Sequence, residues 1–255
     1  MKAGIRLLGF GSAAAGVLDL IYGEFEAAHQ PIQALSDRLA ATHWLADLAG
    51  LWLIAAGLAI QCQRTRRAGA IALAVIYACF AAFWIPRLWI VPRMLGHSWR
   101  LYVGLVTGPC VQIVPVTAAL MLVGLRVQVA RYVTAFCTIM FGVEHLANPA
   151  DVATLIPAWM PLGGKLWAIV SGICFVLAGV AFALAWRDVL AARLLAVMYL
   201  VFSALSLIPL VIASPRDHTS WGGNFVNLAI VGATLVFAEL LTSSTPRPRR
   251  ARSTA

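Results

Sequence analysis

Eight stretches of this chain are apolar for long enough to cross a lipid bilayer, which takes about 20 residues per crossing. They run over 5–22, 44–62, 68–91, 101–124, 130–147, 164–186, 190–213 and 223–243. None alternates polar and apolar residues at period two, so a membrane β-barrel is excluded. Of the 255 residues, 62% are hydrophobic and only 11% charged, against roughly 45–50% and about 25% in a soluble domain. Most of the surface must face lipid. The expected fold is all-α and integral to a membrane, with eight transmembrane helices.

The net charge is +9, but the basic residues lie between the apolar runs and form no face, which excludes nucleic acid as a partner. Thirteen lysines and arginines fall on the side that holds both termini and six on the other. By the positive-inside rule both termini are cytoplasmic. Lys2 and Arg6 precede an apolar run with no small-residue cleavage site, so that run reads as an uncleaved first helix. Residues 244–255, with Arg247, Arg249, Arg250 and Arg252, read as a disordered basic tail drawn to anionic headgroups, and membrane lipids are the expected partner. The five cysteines form no C-x-x-C and each lies within an apolar run, so they read as small buried hydrophobes.

The chain repeats itself. Gly50 and Gly57 recur as Gly172 and Gly179, and Tyr77 and Trp99 as Tyr199 and Trp221, all at an offset of 122. Ile85-Pro86 recurs as Ile208-Pro209 at 123, and Arg6 and Asp19 recur as Arg131 and Glu144 at 125. Matches in order and at like helix positions point to two tandem four-helix units, 1–126 and 127–243. An even number of spans per unit gives both the same orientation, related by an axis along the membrane normal. Between the first and second helices of each unit, Pro31 to Leu39 and Asn148 to Pro157 read as short amphipathic helices on the outer face. Pro86 and Pro209 near the ends of the third spans, and Pro109 and Pro115 in the fourth, suggest kinks, but no broken helix is evident.

The segments GVLDLIYGEFEAAHQPI (Gly16 to Ile32) and FGVEHLANPADVATLIPAWMP (Phe141 to Pro161), the latter followed by a glycine-rich helix, resemble the DoxX-like family of small bacterial four-helix membrane proteins. The likeness covers nearly the whole chain as a fused, tandem form. It implies a four-helix bundle per unit in a bacterial-type cytoplasmic membrane. Because some members are linked to thiosulfate:quinone oxidoreductase and other membrane redox complexes, it also implies a possible quinone and a membrane redox partner. It carries no catalytic residue onto numbered positions here.

Ionisable groups inside membrane spans are costly, and four acids qualify: Asp19, Asp47, Glu144 and Glu239. Glu239, near the inner end of its helix, reads as structural. The other three lie toward the outer side, as do all five histidines, His29, His43, His97, His145 and His218. His43 and Asp47, four apart, share a helix face, whereas the adjacent Glu144 and His145 diverge by about 100°. The repeat offset sets Asp19 against His43 and Glu144 against Lys165 as expected acid–base pairs. The candidate ligand-binding residues are therefore Asp19, His43, Asp47, Glu144, His145 and Lys165. The only Glu-x-x-His, Glu26 to His29, has no counterpart in the second half, so no metal site is expected. Two readings follow: an apolar ligand such as a quinone or lipid held near the outer face in a redox-linked role, or a non-catalytic scaffold. A small-solute transporter is a weaker third.

Overall fold

The computed structural model describes residues 2–30 and 42–244, and within them the chain is helical with no strand. The helices are α1 (Lys2–Tyr22), α2 (Thr42–Ala59), α3 (Arg66–Ala82), α4 (Arg87–Leu95), α5 (Trp99–Met121), α6 (Val127–Ala147), α7 (Pro149–Ala153), α8 (Gly164–Ala183), α9 (Asp188–Phe202), α10 (Ile208–Ala213) and α11 (His218–Ser244). All eight apolar runs are helical, and six segments are long and apolar enough to cross a membrane. The protein is thus an all-α chain with the build of a multi-pass membrane protein. Of the two remaining runs, α2 offers only His43–Ala59 as its apolar stretch. In α6 the apolar face is diluted by Gln128, Arg131, Glu144 and His145.

Helix ends follow local chemistry. Ser98 opens α5 by accepting the Leu101 N–H at 3.2 Å, and Asp217 opens α11 by accepting the Ser220 N–H at 2.8 Å and its hydroxyl at 2.6 Å. That cap fixes His218 as the first residue of α11. Pro109 and Pro115 are carried inside an unbroken α5. The third and seventh runs are broken, contrary to expectation. Turns over Phe83–Pro86 separate α3 from α4, and a π-helical turn, Ser203–Leu207, joins α9 to α10. In each case a proline (Pro86, Pro209) lacks the N–H needed to carry an α-helix on. Asn227 of α11 donates to the Tyr199 carbonyl at 2.8 Å and to the Ser203 hydroxyl at 2.7 Å, satisfying groups beside the π turn. The expected helix over Pro31–Leu39 lies outside the described residues. Its counterpart is α7, which starts at Pro149 as read but closes at Ala153.

Where lipid replaces water, helices associate through close packing of small residues. α1 lies between α2 and α11, α6 between α5 and α8, and α5 meets α11; α3 packs on α5 and α9 on α11. A Cβ on Gly50 would lie 2.7 Å from the Gly16 carbonyl oxygen, and one on Gly142 would lie 2.7 Å from that of Gly172. Contacts this short leave no room for a side chain, so the glycines set the helix spacing. At the opposite end of α6, Arg131 grips Asp188 at 2.7 Å, tying α6 to the start of α9.

Candidate functional site

α1 ends at Tyr22, and the next residues turn back into the bundle. Gly23 takes a positive φ of 66°, which suits glycine, and its N–H closes the helix on the Asp19 carbonyl. Residues 23–30 then settle among α1, α3, α5 and α11. Phe25 packs edge-on against Phe80 and Phe83. The Ala28 carbonyl accepts two side-chain donors, Trp84 Nε1 at 3.2 Å and Gln112 Nε2 at 3.1 Å. Arg87 stacks over Trp84 and donates to the Gln30 carbonyl. Gly222 of α11 admits the Glu26 side chain, which a Cβ there would strike.

This folded-back loop closes a cluster of carboxyl and imidazole groups at the Tyr22 end of the bundle. Asp19, His29 and Gln112 are fully buried, Glu26 is 3% exposed and His218 6%. Asp19 Oδ1 accepts the Glu26 N–H at 3.0 Å and lies 3.7 Å from His218 Nε2. Glu26 Oε2 accepts the Ala28 N–H at 2.7 Å, holding the turn. The His218 ring lies flat on Tyr22, with centroids 4.5 Å apart, and its Nδ1 is 3.3 Å from Glu24. His29 stacks on Phe80 at 4.0 Å, edge-on to Tyr77, whose hydroxyl is 2.8 Å from Ser12 Oγ. Burial pushes the Glu26 carboxyl up to about 7, against the pull of the Ala28, His29 and Ala27 N–H groups. Burial likewise pushes the His29 imidazole down to about 3, with His218 acting in the same sense and the neighbouring Gln112 side chain, too poorly placed for a well-formed hydrogen bond, in the opposite one. His29 is therefore neutral at ordinary pH.

Five buried polar atoms here have no hydrogen-bond partner among the described residues: Asp19 Oδ2, both ring nitrogens of His29, Gln112 Oε1 and His218 Nε2. Buried groups of this kind nearly always find partners, and leaving one unpaired costs about 1–3 kcal/mol. Several in one place mark a site that can take hydrogen bonds from, or give them to, something else.

The sequence-predicted residues are only partly gathered here. Asp19 lies at the centre of the cluster. His43 is exposed and bonds the Gly23 carbonyl at 2.6 Å through Nδ1, so the expected Asp19–His43 pair is replaced by Asp19–His218. Asp47 is half-buried one turn along α2. Glu144 faces α5, with Asn148 Nδ2 donating to Oε1 at 3.0 Å and Gly104 beside both carboxyl oxygens. Lys165 is exposed at the start of α8, and no Glu144–Lys165 ion pair forms among the described residues. His145 turns the other way, its Nδ1 on the Phe141 carbonyl at 2.7 Å and its ring against Phe175 and Phe202. The expected divergence of Glu144 and His145 is present; the two acid–base ties are not. Glu26, His29, Gln112 and His218 enter the site without having been predicted. Their visible signals were the Glu26–His29 spacing and the outer-side placement of His29 and His218 among the histidines.

No family model, curated protein or solved structure matches this chain. Among the described residues no group of three or more His, Cys, Asp or Glu side chains is arranged to hold a metal ion. The groups of the cluster themselves offer hydrogen bonds and exchangeable protons.

Proposed function

We propose that this chain is a DoxX-like protein of a bacterial-type cytoplasmic membrane. It consists of eight spans in two tandem four-helix units with cytoplasmic termini, and binds the polar head of an isoprenoid quinone at the buried carboxyl–imidazole cluster. The tandem reading is supported by matched packing. Gly16 on Gly50 has its counterpart in Gly142 on Gly172, and Ala13 on Gly57 in Ile139 on Gly179. The α1–α2 contact is matched by α6–α8, α3–α5 by α9–α11, and the two broken helices occupy the same place. These contacts favour an offset of 126 for the first helices, which makes His145, not Glu144, the equivalent of Asp19.

The ligand reading rests on the unpartnered atoms of His29, Gln112, Asp19 and His218. A quinone head presents two carbonyl oxygens, and a neutral His29 has one ring N–H to give. Reduction of such a head consumes two protons, and Asp19 and Glu26 are two carboxyl groups at hand. Electrons would come from a membrane redox partner. Lipid headgroups offer similar acceptors and are the competing ligand of the same site. A scaffold reading draws on the bonds that lock residues 23–30 in place, since Glu26, Trp84, Gln112 and Arg87 all serve the loop backbone.

Mass spectrometry of the gently solubilised protein, wild type beside His29→Phe, separates the two. The ligand reading expects an isoprenoid quinone at near-stoichiometric level in the wild type and its loss in the variant. Because phenylalanine keeps the stack on Phe80 and removes two unpaired nitrogens, the variant should be more stable than the ligand-free wild type by about 1–2 kcal/mol. A wild-type protein holding nothing beyond bulk lipid overturns the ligand reading in favour of the scaffold.

A further inference from the structure

The cluster has an exit. Asp19 is fully buried, His218 nearly so, and Glu24 is 56% exposed at the end of the bundle. The three stand in line: Asp19 Oδ1 is 3.7 Å from His218 Nε2, and His218 Nδ1 is 3.3 Å from Glu24 Oε1. An imidazole with one nitrogen toward each neighbour can take a proton on one side while releasing one from the other.

We propose that Asp19, His218 and Glu24 form a proton path between the buried cluster and water at the outer end of the bundle. It rests on the reading of that cluster as a site of proton exchange. With Nδ1–H turned to Glu24, His218 presents its Nε2 lone pair to Asp19. A proton leaves the Asp19 carboxyl for Nε2, and the Nδ1 proton passes to the Glu24 carboxylate and on to water. The charges balance at each transfer, and reversal of the ring tautomer resets the path. Asp19 and His218 must close by about half an ångström to reach hydrogen-bond length.

The surroundings suit this role. Tyr22 lies flat on the imidazole and holds its plane, with its hydroxyl anchored on the Arg216 carbonyl at 3.2 Å. Asp217 is taken up in capping α11. Glu26 lies on the inner side and turns one carboxyl oxygen to the Ala28 N–H. His29, beyond it, is neutral. Glu24 is thus the acceptor that reaches water.

Time-resolved infrared spectroscopy after photorelease of protons tests the path in the full-length protein. Asp19→Asn identifies the Asp19 carboxyl band, and the rate of its protonation is then followed. His218→Phe, which keeps an aromatic ring on Tyr22, should slow protonation about tenfold or more. The exposed Glu24→Gln, which cannot disturb the core, should slow it several-fold, and His97→Phe should leave it unchanged. A wild-type rate in both His218→Phe and Glu24→Gln overturns the path. So does an Asp19 carboxyl that never changes protonation between about pH 4 and about pH 9. Quinone content measured on the same samples keeps the two readings apart. A protein without quinone but with His218-dependent protonation loses the ligand and keeps the path.

Discussion

Glu26 and His29 are two buried groups on one turn, and their shifts act on stability in opposite senses. His29 is lowered from 6.5 to about 3, so its contribution falls as pH drops below its unfolded value. Glu26 is raised from 4.5 to about 7, so its contribution falls as pH rises from 4.5 through about 7. Over the interval they share, the slopes of these two groups oppose and largely cancel each other. Each single variant uncovers the other group. Relative to wild type, Glu26→Gln should tilt stability toward rising with pH up to the His29 reference value of 6.5, and His29→Phe should tilt it toward falling with pH from 4.5 to about 7. Thermal midpoints of the detergent-solubilised proteins across that range check both slopes. Asp19 was legible as a costly acid within an apolar run, but its partners were not. GEFEAAHQ carries the polarity of a water-exposed loop, and its burial depends on Trp84, Gln112 and Gly222, which come from three separate parts of the chain. His218 is nearly two hundred residues from Asp19, beyond the reach of any local spacing rule.

Among the helices, glycine marks two different situations. At Gly50 an added Cβ meets the Gly16 backbone oxygen at 2.7 Å, and backbone cannot step aside. Gly50→Ala should therefore part α1 from α2 at a cost of about 1–3 kcal/mol. At Gly104 the nearest atoms are the Glu144 carboxyl oxygens at 3.5 Å, ordinary contact. Gly104→Ala should be neutral or stabilising, by up to about 1 kcal/mol from helix propensity. Chemical denaturation of both variants in the same detergent decides the contrast, and an equal effect would contradict it. The glycine pairs of α2 (Gly50, Gly57) and α8 (Gly172, Gly179) are each seven apart, a spacing that puts both members on one helix face. The interruptions after α3 and α9 were legible only as prolines. Whether a proline bends a helix or breaks it depends on how the surrounding backbone is satisfied, and beside the second break an extra bond to the Tyr199 carbonyl comes from Asn227, on a helix remote in sequence.

The whole chain was the most readable scale, because lipid imposes one requirement on every span and hydropathy records it. The topological reading makes a direct prediction. Of the five cysteines read as buried, only Cys110 and Cys137 are; Cys62 is exposed in the turn between α2 and α3, beside Arg64, Arg66 and Arg67, on the side assigned to the cytoplasm. With the other cysteines replaced, a membrane-impermeant maleimide should label Cys62 in inverted vesicles and spare it in right-side-out ones; the opposite pattern would reverse the orientation. The pairing of α1 with α11 has a bearing on synthesis. Gly4 and Gly11 on the first helix fit against the backbone of Phe225 to Val236, so one flank of α1 has no protein neighbour until translation has passed His218. A ribosome that stalls earlier leaves that flank bare, its glycine backbone turned to lipid instead of to α11.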